Sequence, residues 1–349
     1  MAIVILSIIG VLFSSIDKST FTLLENADWR FLILAFGLVV LGWLLDSLKF
    51  LSLARAAGER LLFRTTLGVV WINYFGCAIT PMQSGGGPFQ VYMLYRAGVS
   101  VGKSIAITLV RTLQILFLLA LVTPFSYFFD PKLFEQHKYI RWYAYYIAVF
   151  VALCTFLIVV SIIRPNWIKH WVNVFLFWLK RIGLLKSKYL MKAVRWVDHE
   201  VDSYNTNIKL FTSTGKRWFL FSTLVAIVHL IVYLSVMPCL IKAAGFHVGY
   251  VRCLLAESLF LFMLYFVPTP GASGAAEGGA AAIFALFIPW SLAGVMAVSW
   301  RLITEYTGVA LGTFIVVQML GWGGADKVFR SESKKIQEAK ESEIKDEDK

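Results

Sequence analysis

Seven ionisable side chains interrupt otherwise apolar stretches of this sequence: Asp46, Lys49, Arg111, Glu257, Glu277, Arg301 and Glu305. Inside a membrane-crossing helix a charge costs at least about 2.5–3.5 kcal/mol on insertion scales, so such residues face a cavity and pair with one another or with a ligand. Arg301 and Glu305 stand at i and i+4 and meet on one helix face. Asp46 and Lys49, at i and i+3 near a helix end, read as a local pair. Arg111 has no acid within four residues, so its partner comes from another helix or from a ligand. A guanidinium fork matches phosphate oxygens, which makes Arg111 the stronger candidate for holding an anionic headgroup. Arg96 either joins it there or reaches for the membrane interface. His229, in an apolar run, reads as a core histidine, although a proton-carrying role is the alternative.

Two glycine-rich segments carry a second kind of chemistry. Gln83-Ser84-Gly85-Gly86-Gly87 and Ser273-Gly274 interrupt apolar stretches at about 66–103 and 251–290. Unwound backbone at such points exposes N–H groups, and a helix starting just beyond presents its positive end, a combination suited to phosphate. Glycine also permits close helix packing, which is the competing reading. With Glu277 and Glu305 beside the arginines, the expected substrate-binding set is Gln83, Ser84, Gly85, Gly86, Gly87, Arg96, Arg111, Ser273, Gly274, Glu277, Arg301 and Glu305.

These residues need a membrane-embedded scaffold. Of the 349 residues 58% are hydrophobic and 15% charged, against about 45–50% apolar and 25% charged in soluble domains. That excludes a soluble enzyme, a disordered chain, a coiled coil and a disulfide scaffold. Apolar runs of spanning length cover Phe31–Leu53, Ser104–Phe129, Trp142–Ile163, Trp218–Ile241 and Leu292–Leu320, and Ala2–Phe13 reads as a short first span. The net charge of +12 gathers in loops, as expected where cytoplasmic loops attract Lys and Arg and face anionic lipid, so no nucleic-acid partner is expected. Loop 54–64 and segment 164–217 belong in the cytoplasm by this rule, and loops 17–30 and 129–141 outside. Segment 164–217 reads as a Trp-rich, basic interfacial helix or a helix packed on the cytoplasmic face. Four cysteines without a C-x-x-C pair read as buried hydrophobes.

Consistent orientation requires each interrupted stretch to enter and leave on one side, as two re-entrant hairpins from opposite faces. The hairpins resemble each other. Thr80-Pro81-Met82-Gln83-Ser84-Gly85 and Thr269-Pro270-Gly271-Ala272-Ser273-Gly274 share T-P-x-x-S-G. Arg55-Ala56-Ala57-Gly58 precedes the first and Lys242-Ala243-Ala244-Gly245 the second, while Arg111 and Arg301 follow at nearly equal spacing. The expected architecture is an all-α polytopic membrane protein, an inverted repeat with two broken, re-entrant helical hairpins. Residues 1–324 form its membrane domain, with halves at about 31–128 and 218–320 joined through the linker 164–217. Residues 325–349, with 7 Lys/Arg and 8 Asp/Glu, form a charged cytoplasmic tail.

The run Pro81–Ser100 resembles the first signature of the flippase-like family named for the lysylphosphatidylglycerol synthase transmembrane region. Pro268–Gly274 with Glu277 resembles its second signature, and Arg111 and Arg301 fall where its spans carry arginines. The resemblance runs over about residues 1–322. It implies a multi-pass lipid-translocating module of a bacterial or archaeal cytoplasmic membrane, of the kind linked to aminoacylated phospholipids or polyprenyl-phosphate-linked sugars. Gly87, Pro88 and Gln90 stand where the family often has an acid and a basic residue. The synthase's soluble aminoacyl-transferase domain has no counterpart in 325–349, so synthesis of lysyl-lipid is not expected.

The function expected is flipping or scrambling of an anionic phospholipid or polyprenyl-phosphate-linked glycolipid, with no cofactor, metal or catalytic residue. No hydrolytic or nucleotide-binding motif appears. The alternatives are an intramembrane enzyme using Glu257 or Glu277 on a lipid phosphate, and a non-transporting scaffold for lipid-modifying enzymes. A separate lipid-modifying enzyme and a second copy of the chain are the protein partners considered.

Overall fold

The computed structural model describes residues 27–129 and 215–320, together with three isolated positions. The expected spans Ala2–Phe13 and Trp142–Ile163, most of the linker 164–217 and the tail 325–349 lie outside the described residues. All regular structure within them is helical: α1 (Trp29–Ala56), α2 (Phe63–Ile79), α3 (Gly86–Arg96), α4 (Val101–Phe129), α5 (Lys216–Leu234), α6 (Val236–Ala243), α7 (Tyr250–Leu264), α8 (Ala275–Phe284), α9 (Trp290–Arg301) and α10 (Thr307–Leu320). Helices α9 and α10 are continuous through a π-helical turn, Leu302–Tyr306. The chain is thus an all-α membrane protein, with 4 helical segments among the described residues long and apolar enough to cross a bilayer: Trp29–Ala56, Val101–Val122, Lys216–Ala243 and Trp290–Met319.

Local chemistry accounts for the helix boundaries. Asp28 caps α1 by accepting a hydrogen bond from the Arg30 N–H at 3.0 Å, and the chain leaves that helix through Gly58, whose φ of +79° suits glycine. The expected span Trp218–Ile241 is divided at Ser235. Pro238 lacks the N–H that would bond the Leu234 carbonyl, which explains the break. At the π turn, the Thr304 hydroxyl donates to the Trp300 carbonyl at 2.7 Å and the Thr307 hydroxyl to the Ile303 carbonyl at 2.6 Å. Such hydroxyls compete with the backbone ladder and loosen the helix.

The interrupted stretches form helix pairs, α2 with α3 and α7 with α8. With 11 residues in α3 and 10 in α8, each second arm is only about 15 Å long at 1.5 Å per residue, half the hydrocarbon thickness. The order of long helix, shorter helix, short arm and long helix occurs in 29–129 and again in 216–320. Packing crosses between these halves: α1 lies along α5 and α6, α2 along α10, and α7 along α4.

With lipid outside, these contacts rely on small residues and polar bridges. Gln114 on α4 joins α5 by donating to Thr223 Oγ1 at 3.0 Å and accepting from the Ser222 hydroxyl at 3.2 Å. Gly308 and Gly312, four apart on α10, let it settle on α2, where a Cβ on Gly312 would stand 2.2 Å from the Trp71 carbonyl oxygen. Because that obstacle is backbone, Gly312→Ala is expected to destabilise the protein by about 1–3 kcal/mol. Thermal unfolding in detergent checks this, and an unaltered midpoint would contradict the close approach.

Candidate functional site

The two break loops share a backbone solution. Met82 and Gln83 have φ of +53° in the first, and Gly271 and Ala272 have +61° and +53° in the second. Two successive left-handed residues reverse the chain, and the following serine closes the turn. Ser84 donates to the Pro81 carbonyl from its amide at 3.1 Å and its hydroxyl at 2.8 Å. Ser273 does the same to Pro270 at 3.1 and 2.7 Å. Holding Met82 and Gln83 left-handed costs of order 1–3 kcal/mol each, a cost that surrounding contacts must offset. The loops touch. Pro81 and Pro270 form an antiparallel bridge, and the Gly271 amide donates to the Thr80 carbonyl at 3.3 Å. Gly271 is required twice over, by its φ and by the Ala78 carbonyl oxygen 3.2 Å from where a Cβ would stand.

Four of the break amides are engaged within the protein itself. The Ser84 and Ser273 amides are taken up in their turns, the Gly85 amide donates to Thr80 Oγ1 at 2.7 Å, and the Gly274 amide donates to Glu277 Oε2 at 2.7 Å. Gly85 and Gly86 serve close packing. A Cβ on Gly85 would fall 2.8 Å from the Gly76 carbonyl oxygen, and one on Gly86 2.3 Å from Asn73 Oδ1. Gly85 and Gly86 therefore bring α3 against α2.

The charged residues gather into two clusters. In the first, the Arg111 guanidinium grips the Asp46 carboxylate with two donors, Nε to Oδ1 at 3.1 Å and Nη2 to Oδ2. Lys49 Nζ stands 2.8 Å from the same Oδ1, with its side chain fully buried. The Phe50 ring, 4.9 Å from the guanidinium carbon, covers Arg111. In the second, Arg301 lies between two acids, with Nε 3.3 Å from Glu277 Oε1 and Nη2 3.4 Å from Glu305 Oε2, and it also donates to the Gly271 carbonyl. The Tyr306 hydroxyl donates to Glu277 Oε1 at 3.0 Å. Arg301 thus fastens the second break loop to the α9–α10 helix.

Between the loops and these clusters lies a cavity of about 650 Å³, within the usual range for small-molecule sites. Met82, Gln83, Ser84 and Gly87 of the first break and Gly271 of the second reach its lining, with Asp46, Arg111 and Glu305 as its charges. Arg111 is 13% exposed and Glu305 22%. Tyr74, Tyr233, Tyr265, Asn73, Thr108, Thr112 and His229 complete its polar surface. Ser273, Gly274, Glu277 and Arg301 fall outside the lining, behind Gly271. Arg96 is apart from it, at the end of α3, where Nη1 donates to the Met319 carbonyl at 3.2 Å. Among the described residues no three His, Cys, Asp or Glu side chains converge to hold a metal ion.

Two cavity residues, Asp46 and His229, lay outside the binding set expected from the sequence. Asp46 does pair with Lys49, but it also serves Arg111 on another helix. Arg111 needed a partner from another helix, and within the helices of the first half Asp46 is the acid available, since Glu59 lies in a loop and pairs with Lys103. His229 faces the cavity one turn before Tyr233, and its buried Nδ1 has no protein partner.

The fold and site define a multi-pass helical membrane protein whose paired interrupted helices enclose a charged cavity. The family described as the lysylphosphatidylglycerol synthase TM region matches residues 1–312, and the chain belongs to that family. A UPF0104 membrane protein from Archaeoglobus fulgidus is 26% identical over 323 residues, covering 90% of this chain and 94% of that relative.

Proposed function

We propose that this protein moves a lipid bearing a phosphate headgroup, an anionic phospholipid or a polyprenyl-phosphate-linked glycolipid, between the leaflets of a bacterial or archaeal cytoplasmic membrane without changing it chemically. One observation carries the reading. Arg111 on the cavity wall and the buried Lys49 behind it share the single carboxylate of Asp46, leaving that cluster with one positive charge in excess. A phosphodiester carries one negative charge. Arg111 can turn to it while Lys49 retains Asp46, so no charge is left bare at membrane depth. Glu305 accepts hydrogen bonds from headgroup hydroxyls, and the ring faces of Tyr74, Tyr233 and Tyr265 suit a sugar or glycerol moiety. The acyl or isoprenoid chains stay in lipid.

The paired break loops, with their common turn and antiparallel bridge, support reading the halves as inverted repeats. Transporters built this way alternate access by rocking one half against the other. The test is exchange of fluorescent phosphatidylglycerol between leaflets of vesicles containing the full chain. Wild type should accelerate exchange well above empty vesicles, and Arg111→Gln, verified as folded by size exclusion, should return it to the empty-vesicle rate. Equal rates for the two proteins would dismiss this grip on the headgroup.

A further inference from the structure

The charge left out of both clusters is Glu257, on α7. It is fully buried, and among the described residues its one donor is the Trp300 indole N–H, 3.0 Å from Oε1, while Oε2 has no hydrogen-bond partner among them. The contrast with Glu277 is instructive, because that residue is equally buried but is met by Arg301, the Tyr306 hydroxyl and the Gly274 amide. The acceptor sites of Glu277 are met. Those of Glu257 are not, since an ionised carboxylate has about four acceptor sites to satisfy and a single neutral donor meets one of them.

Among the described residues no neighbouring helix brings Glu257 a counter-ion. The ionisable groups within electrostatic range are Cys253, one turn earlier on α7, and Tyr233 from α5, and neither is a cation. Of the helices packed on α7, α4 carries Arg111, bound to Asp46, and Lys103, bound to Glu59; α5 carries Lys216 and Arg217 in its first turn and His229 at the cavity; and α6 carries Lys242, set 6.0 Å from the Phe31 ring. Helix α8 carries Glu277, bound to Arg301, and α9 carries Arg301 itself. Arg252, near the start of α7, is exposed.

The position of Glu257 ties it to the moving parts of the proposed cycle. Its partner Trp300 immediately precedes Arg301 and the π turn, and the Trp300 carbonyl accepts from Thr304 within that turn. Leu261, one turn beyond Glu257, lines the cavity, as does Tyr233. π turns inside α-helices occur frequently at functional sites. A shift of this one would withdraw the indole and admit cavity water to Oε2.

We propose that Glu257 is a proton-binding site, loaded in the conformation described here, which releases its proton to water entering the cavity when α9 and the π turn move. The coupling of that release to lipid movement rests on the transport reading above, while occupancy by a proton does not. Infrared spectra of the full chain in phosphatidylcholine vesicles at neutral pH test occupancy. A protonated carboxylic carbonyl band should be present, shift on ¹³C labelling of glutamate, vanish in Glu257→Gln and persist in Glu305→Gln. Absence of a glutamate-sensitive band in the wild type overturns the proposal without reliance on any variant, and so does its persistence in Glu257→Gln. Coupling is read from fluorescent phosphatidylglycerol exchange under an imposed pH gradient. Wild type should change rate severalfold with the gradient and Glu257→Gln should be indifferent to it, whereas equal sensitivity in both would refute the coupling. No exchange in any protein, with the infrared band present, would defeat the transport reading and leave the proton site standing.

Discussion

Asp46→Asn is expected to unfold the protein more readily than any other single change at the cavity. The carboxylate serves two cations, and its loss leaves Lys49, fully buried, and Arg111 side by side with only a neutral amide between them. Breaking a buried pair by removing one partner costs about 3–5 kcal/mol, and here two cations are stranded together. Lys49→Met supplies the comparison. It leaves the two-pronged Arg111–Asp46 contact in place, so the fold should suffer far less, but the cluster falls from one excess positive charge to none. Lipid exchange should therefore fail in Lys49→Met at nearly unchanged thermal midpoint, while Asp46→Asn should lose tens of degrees or fail to accumulate. If both variants melted alike, the sharing of one acid by two bases would be structurally unimportant.

The second large effect concerns Arg301. Its guanidinium serves Glu277, Glu305 and the Gly271 carbonyl, and Arg301→Gln would leave Glu277 deep in the protein without a counter-charge. A destabilisation of about 3–5 kcal/mol is expected on the same physical ground. Neutralising both residues removes the uncompensated charge, so Arg301→Gln/Glu277→Gln should melt at a higher temperature than Arg301→Gln alone. Strict additivity of the two single losses in a double-mutant cycle would show that the contact carries no coupling.

How far the sequence disclosed this arrangement depended on the range of each interaction. Apolar runs marked α1, α4, α5–α6 and α9–α10, because spanning length is a property of continuous chain. The split at Ser235 and the π turn at Leu302–Tyr306 were not marked, since both depend on individual carbonyls losing or exchanging partners. The T-P-x-x-S-G motif was visible as a repetition, and its cause is a turn with two left-handed residues that the serine closes. The Arg301–Glu305 contact followed from helical spacing. Arg301–Glu277 and Arg111–Asp46 did not, because they join residues brought together only by tertiary packing. Glycine was the most ambiguous letter: at Gly85 and Gly86 it permits contact between helices, whereas the sequence equally allowed an anion cradle.

The crossed packing of the halves has a consequence for how the molecule is made. Helix α2 rests on α10, the last described segment to leave the ribosome, through Gly308 and Gly312. The first break loop, the Arg111 side of the cavity and α2 are therefore synthesised long before the surface that holds them exists. Insertion into the bilayer can proceed helix by helix, but the chamber itself closes only once α10 has been made, and until then the early helices depend on the insertion machinery or on lipid for company.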